Sequence, residues 1–106
     1  MAWAFLITAG LFEIGFTTAL RFSAGFTKLV PTLLFVLFAA LSFYFLERAA
    51  REIPLGTAYA VWTGIGAVGT VIVGAAFFGE PVSFVRFIFI ATLIGSIVGL
   101  RLVSGH

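Results

Sequence analysis

An all-α membrane protein with four transmembrane helices per chain is the fold class this sequence predicts, on three observations. Hydrophobic residues fill 62% of the 106 positions and charged residues only 9%, where soluble domains average about 45–50% and about 25%. A soluble chain this short has too little interior to hide that much apolar surface, so the excess faces lipid. The charges are also spaced to leave four long apolar runs, each near the roughly 20 residues that cross a bilayer core. Residues 1–106 therefore read as a single four-helix transmembrane domain embedded in a lipid bilayer.

The first span covers residues 2–20 and is interrupted only by Glu13. Met1-Ala2-Trp3 lacks the positive n-region of a secretory signal, so this span is expected to be retained. The second, 29–46, carries Pro31 in its first turn, where a missing N–H costs little. The third, 54–78, has no charge and would be about 37 Å long against a core of about 30 Å, so it must tilt, bend or reach into the interface. Gly64, Gly66 and Gly69 lie near its middle, where glycine lets a helix flex or lets a neighbour approach closely. The fourth, 82–100, has Arg86 near its start and Arg101 just past its end. Within it, Gly95-Ser96-Ile97-Val98-Gly99 is a GxxxG element, which assigns Gly95 and Gly99 to packing between copies.

Composition excludes several functions. The chain has no Cys and one His, the terminal His106, so no metal site, disulfide scaffold or thiol nucleophile is expected, nor any cofactor. Six scattered Lys and Arg give a net charge of +2 without a basic patch, which argues against a nucleic-acid partner. With four spans, Arg48, Arg51 and Arg101 fall on the side of the termini and Arg21, Lys28 and Arg86 on the other. The positive-inside rule finds no bias to act on, so insertion in both orientations is expected.

Glu13 is the one ionisable residue deep inside a span. A bare charge at that depth is costly, and such residues mark ion or proton pathways; a carboxyl there can hold a proton or a cation. One turn away on either side lie Ala9, Gly10, Phe16 and Thr17. Gly10 leaves room for a ligand or a second helix, and Thr17 and Thr18 either line the site or bond their own backbone. In the third span Tyr59, Trp62, Thr63 and Gly66 form one helical stripe. Aromatic faces attract organic cations, and the Tyr hydroxyl can bond a carboxylate or a donor-rich ligand. Ser42, deep in the second span, is placed to bond the Glu13 carboxyl.

Three stretches carry a resemblance over essentially the whole chain: Ala9-Gly10-Leu11-Phe12-Glu13, Ser23-Ala24-Gly25-Phe26-Thr27-Lys28 before Pro31, and above all Pro54-Leu55-Gly56-Thr57-Ala58-Tyr59-Ala60-Val61-Trp62-Thr63-Gly64-Ile65-Gly66. In these the chain resembles the small multidrug resistance transporters. The resemblance implies an antiparallel, dual-topology dimer of identical or paired subunits that exchanges protons for hydrophobic or guanidinium-type cations. It implies that Glu13 is the shared proton and substrate site, with Tyr59 and Trp62 beside it and Ser42 in support. Residues 57–69 look most like the guanidinium-exporter branch. Phe16 stands where that branch typically has Trp, and Thr17-Thr18 looks more like the quaternary-ammonium branch, so the chain reads as intermediate between the two.

Two copies also answer a physical need. Secondary transporters commonly place a midplane site between inverted repeats, and 106 residues hold no such repeat. Oppositely inserted copies would supply it and bring two Glu13 carboxyls together as one coupled titrating unit. The expected function is thus a proton-coupled antiporter of small organic cations, not an enzyme, in a bacterial inner membrane. Its alternatives are one subunit of a heterodimeric exporter, a passive channel, or a structural or regulatory subunit without transport of its own.

Overall fold

The computed structural model describes residues 1–104; His106 lies outside them. It consists of four helices: α1 (Ala2–Phe22), α2 (Leu29–Ala50), α3 (Leu55–Phe77) and α4 (Phe84–Ser104). Each is long and apolar enough to cross a membrane.

Several ends differ from the expected spans because charge is tolerated where a helix meets the interface. α2 continues past residue 46 through a charged turn. There Arg51 pairs with Glu47 at 2.8 Å, and Arg48 donates to the Tyr44 hydroxyl at 3.0 Å while lying 5.0 Å from the Phe5 ring centroid. Long basic side chains of this kind cover apolar surface with their stems and keep their charge outward. α4 starts later than expected, because Ser83 caps it: the Ser83 Oγ accepts the Arg86 backbone N–H at 3.1 Å.

Phenylalanine joins α1 to α2. Phe5 stacks on Phe45, Phe12 meets Phe45 and Phe38, and Phe16 meets Phe35, with ring centroids 5.7–6.0 Å apart. The partners step backward along α2 as they step forward along α1, the register of an antiparallel pair. The turn between them sets that register. Ala24, Gly25 and Phe26 have φ of 50°, 72° and 67°, a left-handed run that only glycine adopts without steric cost. Buried Ser23 holds it, donating to the Leu20 carbonyl at 2.7 Å and accepting the Phe26 N–H at 3.2 Å.

The glycines past the first turn of α3 face contacts, not open space. α3 is an unbroken α-helix, and where flexing was expected of Gly64, Gly66 and Gly69 each receives a neighbour's side chain: Ile97, Glu13 and Ile14 respectively. Gly10 of α1 is filled in turn by Ile65 of α3, whose Cγ2 would lie 2.6 Å from an added Cβ. These notches let α1 and α3 run side by side in parallel. α4 rests chiefly on α3, through Ile97 and Leu93 over Gly64, and Arg101 at its end reaches α1, 5.0 Å from the Trp3 ring centroid. Between α4 and α1 an apolar cavity of about 260 Å³ remains, lined by Ile14, Ile65, Ile94 and Ile97 among others.

Candidate functional site

The α1–α3 seam presents Glu13 half-buried in the protomer, with its carboxyl against the bare Cα of Gly66. A Cβ at Gly66 would overlap Oε1 and the carboxyl carbon. Glu13 Oε1 is buried and has no hydrogen-bond partner among the described residues. Leaving a buried acceptor unsatisfied costs about 1–3 kcal/mol and more for a charged one, a cost that an added hydrogen-bond donor would offset.

Ser42 does not reach this carboxyl. Its hydroxyl, fully buried, donates to the Ala9 carbonyl at 2.7 Å and accepts the Trp62 Nε1–H at 2.9 Å. Both bonds are explained by the register: Ser42 faces Ala9, one turn before Glu13, so its proton goes to the nearer backbone oxygen. The serine therefore ties α1, α2 and α3 together, and the Trp62 indole proton is spent on α2 rather than on Glu13. Ser42→Ala is expected to destabilise the fold by about 1–2 kcal/mol through the orphaned indole N–H, which thermal unfolding in detergent would register as a lowered midpoint.

Trp62 belongs to a chain of rings. Its centroid lies 5.8 Å from that of Tyr59 and 5.6 Å from that of Phe43, and Phe43 lies 6.2 Å from Phe16. The sequence stripe is split by this arrangement. Trp62, 7% exposed, and Gly66 turn inward, whereas Tyr59, 58% exposed, and Thr63 lie on the protomer surface. Phe43 escaped sequence reasoning: among 14 Phe it carries no distinguishing signal except its place next to Ser42. Phe16 is half-buried between Phe35 and Phe43.

Gly10 is buried under Ile65 and offers no open space beside the acid. Thr18 donates to the Ile14 carbonyl at 2.8 Å, and Thr17 lies within 3.1 Å of the Glu13 and Ile14 carbonyls while sharing a 2.8 Å hydrogen bond with Thr70 of α3. Gly95 and Gly99 meet nothing within 4 Å of an added Cβ, so that face of α4 is open in the protomer.

Comparison with known proteins agrees with this architecture. The profile of the Small Multidrug Resistance protein family matches residues 1–93. A guanidinium exporter of Yersinia pseudotuberculosis is 43% identical over 104 residues, covering 98% of this chain and all of that protein. A guanidinium exporter of Proteus vulgaris is 42% identical over 104 residues with the same coverage of both chains. One of Citrobacter freundii is 41% identical over 102 residues, covering 96% of this chain and 97% of the relative.

Proposed function

Because the chain belongs to the small multidrug resistance family, and is thereby a multi-pass inner-membrane transporter and not an enzyme, we propose that it exports small organic cations in exchange for protons. Glu13 holds the proton and the cation in turn. The observation that carries this reading is the Glu13 carboxyl, set on Gly66 with a buried oxygen that lacks a donor. A proton or a cationic N–H supplies that donor, and the two exclude each other on one carboxylate. Exchange then needs no separate coupling device.

The working unit is an antiparallel dimer. Open Gly95 and Gly99 on α4 suit a second α4, and the exposed Tyr59 and Thr63 become cavity lining when a second copy covers them. Adding three Lys to one terminus is expected to bias insertion and to abolish transport, and co-expression with an oppositely biased copy to restore it. A terminal reporter that finds one orientation in the unmodified chain would overturn the homodimer and favour a paired homologous subunit.

The substrate range follows from the ring chain. A bare guanidinium is planar and rich in donors, and is best held by carboxylates whose other lone pairs are fixed by hydrogen bonds. Here the indole and serine donors are used up elsewhere, and Phe16 offers a face without a donor. Quaternary ammonium ions need only charge and aromatic faces. The expected substrates are guanidinyl compounds with an apolar tail together with small quaternary ammonium ions. In proteoliposomes, pH-driven uptake of a panel of both classes tests this, with Phe16→Trp shifting preference toward bare guanidinium. Uptake limited to bare guanidinium in the unmodified chain would overturn the range.

A further inference from the structure

The ring chain occupies one side of Glu13, toward Trp62 and Tyr59. The other side carries a polar seam that the exchange reading leaves unused. Glu13 meets Gly66, Thr17 meets Thr70, and Arg21 and Gly74 line one cavity beyond them. These pairs recur every four residues along both helices, so the rungs are about 6 Å apart. The cavity has a volume of about 70 Å³ and is lined by Thr17, Thr18, Thr70, Arg21 and Glu80, with Phe78 and Gly74 among its apolar walls. That volume exceeds the roughly 10–15 Å³ of such space that one water needs, and the polar lining suits water.

Its outer end is shaped by the chain turn after α3. Gly79 takes a φ of 65°, and the Glu80 N–H returns to the Gly74 carbonyl at 3.1 Å, folding the Glu80 carboxyl against Gly74. Among the described residues, Arg21 and Glu80 are the charged groups that line the cavity, and Arg86 lies at the turn beyond it. Arg21 of α1 lies 4.7 Å from the Phe78 ring centroid, Glu80 comes from the turn, and Arg86 of α4 donates to the Pro81 carbonyl at 3.2 Å. Hydroxyls and a carboxylate thus line a narrow line of approach from the membrane surface to the turn next to Glu13, between otherwise apolar helices.

We propose that this seam is a proton and water route to Glu13, separate from the aromatic face that takes the cation, with the Thr17–Thr70 pair as its inner relay and Glu80 as its outer acceptor. The inference rests on the reading of Glu13 as the exchange site. As a cation takes the carboxylate, the proton leaves the Glu13 oxygen for a water admitted across the one turn that separates Glu13 from the cavity's inner end at Thr17 and Thr70. Each water or hydroxyl along the seam then gives up one proton as it gains one. The last proton protonates the Glu80 carboxylate, which returns it to bulk water.

Stopped-flow measurement of proton release with a pH dye, after mixing detergent-solubilised protein with phenylguanidinium, tests this. The affinity for phenylguanidinium is read in parallel from tryptophan fluorescence. Thr70→Val keeps the shape and removes one hydrogen-bonding step, which is expected to slow release about tenfold while the affinity stays unchanged; Thr70→Ser restores the rate. Should Thr70→Val fail to assemble, Glu80→Gln at the exposed turn carries the same test and the same expected slowing. Release at the unmodified rate in these variants, or a slowing matched by an equal loss of affinity, overturns the route alone. Absence of cation-driven release in the unmodified protein, or its persistence in Glu13→Gln, overturns the exchange reading itself and the route with it.

Discussion

Glu13→Gln is expected to lower cation transport by about two orders of magnitude or more, since removing one partner of a buried charged pair costs about 2–5 kcal/mol. Gln keeps the size and shape of the side chain, so the notch at Gly66 stays filled and the helices stay packed. What it loses is the negative charge that the cation neutralises and the proton that leaves when the cation arrives. Proteoliposome uptake driven by a pH gradient checks the first loss, and a pH dye mixed with substrate checks the second. In the unmodified protein the sign of the pH dependence follows from competition. Protons occupy the carboxylate as pH falls, so the apparent affinity for the cation weakens toward acid, and that slope should vanish in Glu13→Gln.

The second large effect is expected at Gly66. An Ala there places a methyl group where the Glu13 carboxyl lies, and the overlap involves both a carboxyl oxygen and its carbon. Either Glu13 leaves its position or α1 and α3 separate, at a cost of about 1–3 kcal/mol. Transport should fall by at least about tenfold while the chain still inserts and elutes as the unmodified protein does. Gly56→Ala is the control, because an added Cβ there meets nothing within 4 Å. Equal transport by Gly66→Ala and the unmodified chain would show that Glu13 works from another position.

Much of this was legible in the residues, and the reasons differ from place to place. The four helices follow from apolar length, which a bilayer demands of any span. Glu13 stood out because a lone acid in such a run has no cheap structural use. Its setting was harder to read. Helical spacing placed Gly10 beside Glu13 but said nothing of Ile65, which lies on another helix and fills the notch. Spacing grouped Tyr59 and Trp62 on one stripe, yet only the packing of α2 shows that Trp62 turns inward and Tyr59 outward. Ser42 was expected to bond the Glu13 carboxyl and instead bonds the Ala9 carbonyl, because a hydroxyl takes the nearest carbonyl with a spare lone pair, and which carbonyl that is depends on the register of two helices. Phe43 and Thr70 were missed since neither is unusual for a membrane helix until its neighbours across the seam are known.

The serine that joins three helices also determines where the protomer can give. To slide α3 along α2 the indole–hydroxyl bond must part, and to slide α2 along α1 the hydroxyl–carbonyl bond must, each of them buried in an apolar interior. To slide α4 along α3, Ile97 and Leu93 move across the shallow notch at Gly64, beside an apolar cavity, and Arg101 shifts over the Trp3 ring, with no buried hydrogen bond of this kind to part. The mechanical consequence is a stiff block of three helices carried on a compliant fourth. For the exchange proposed at Glu13, the expected motion is therefore the whole block rocking as one lever, with α4 as its bearing and no helix of the block bending.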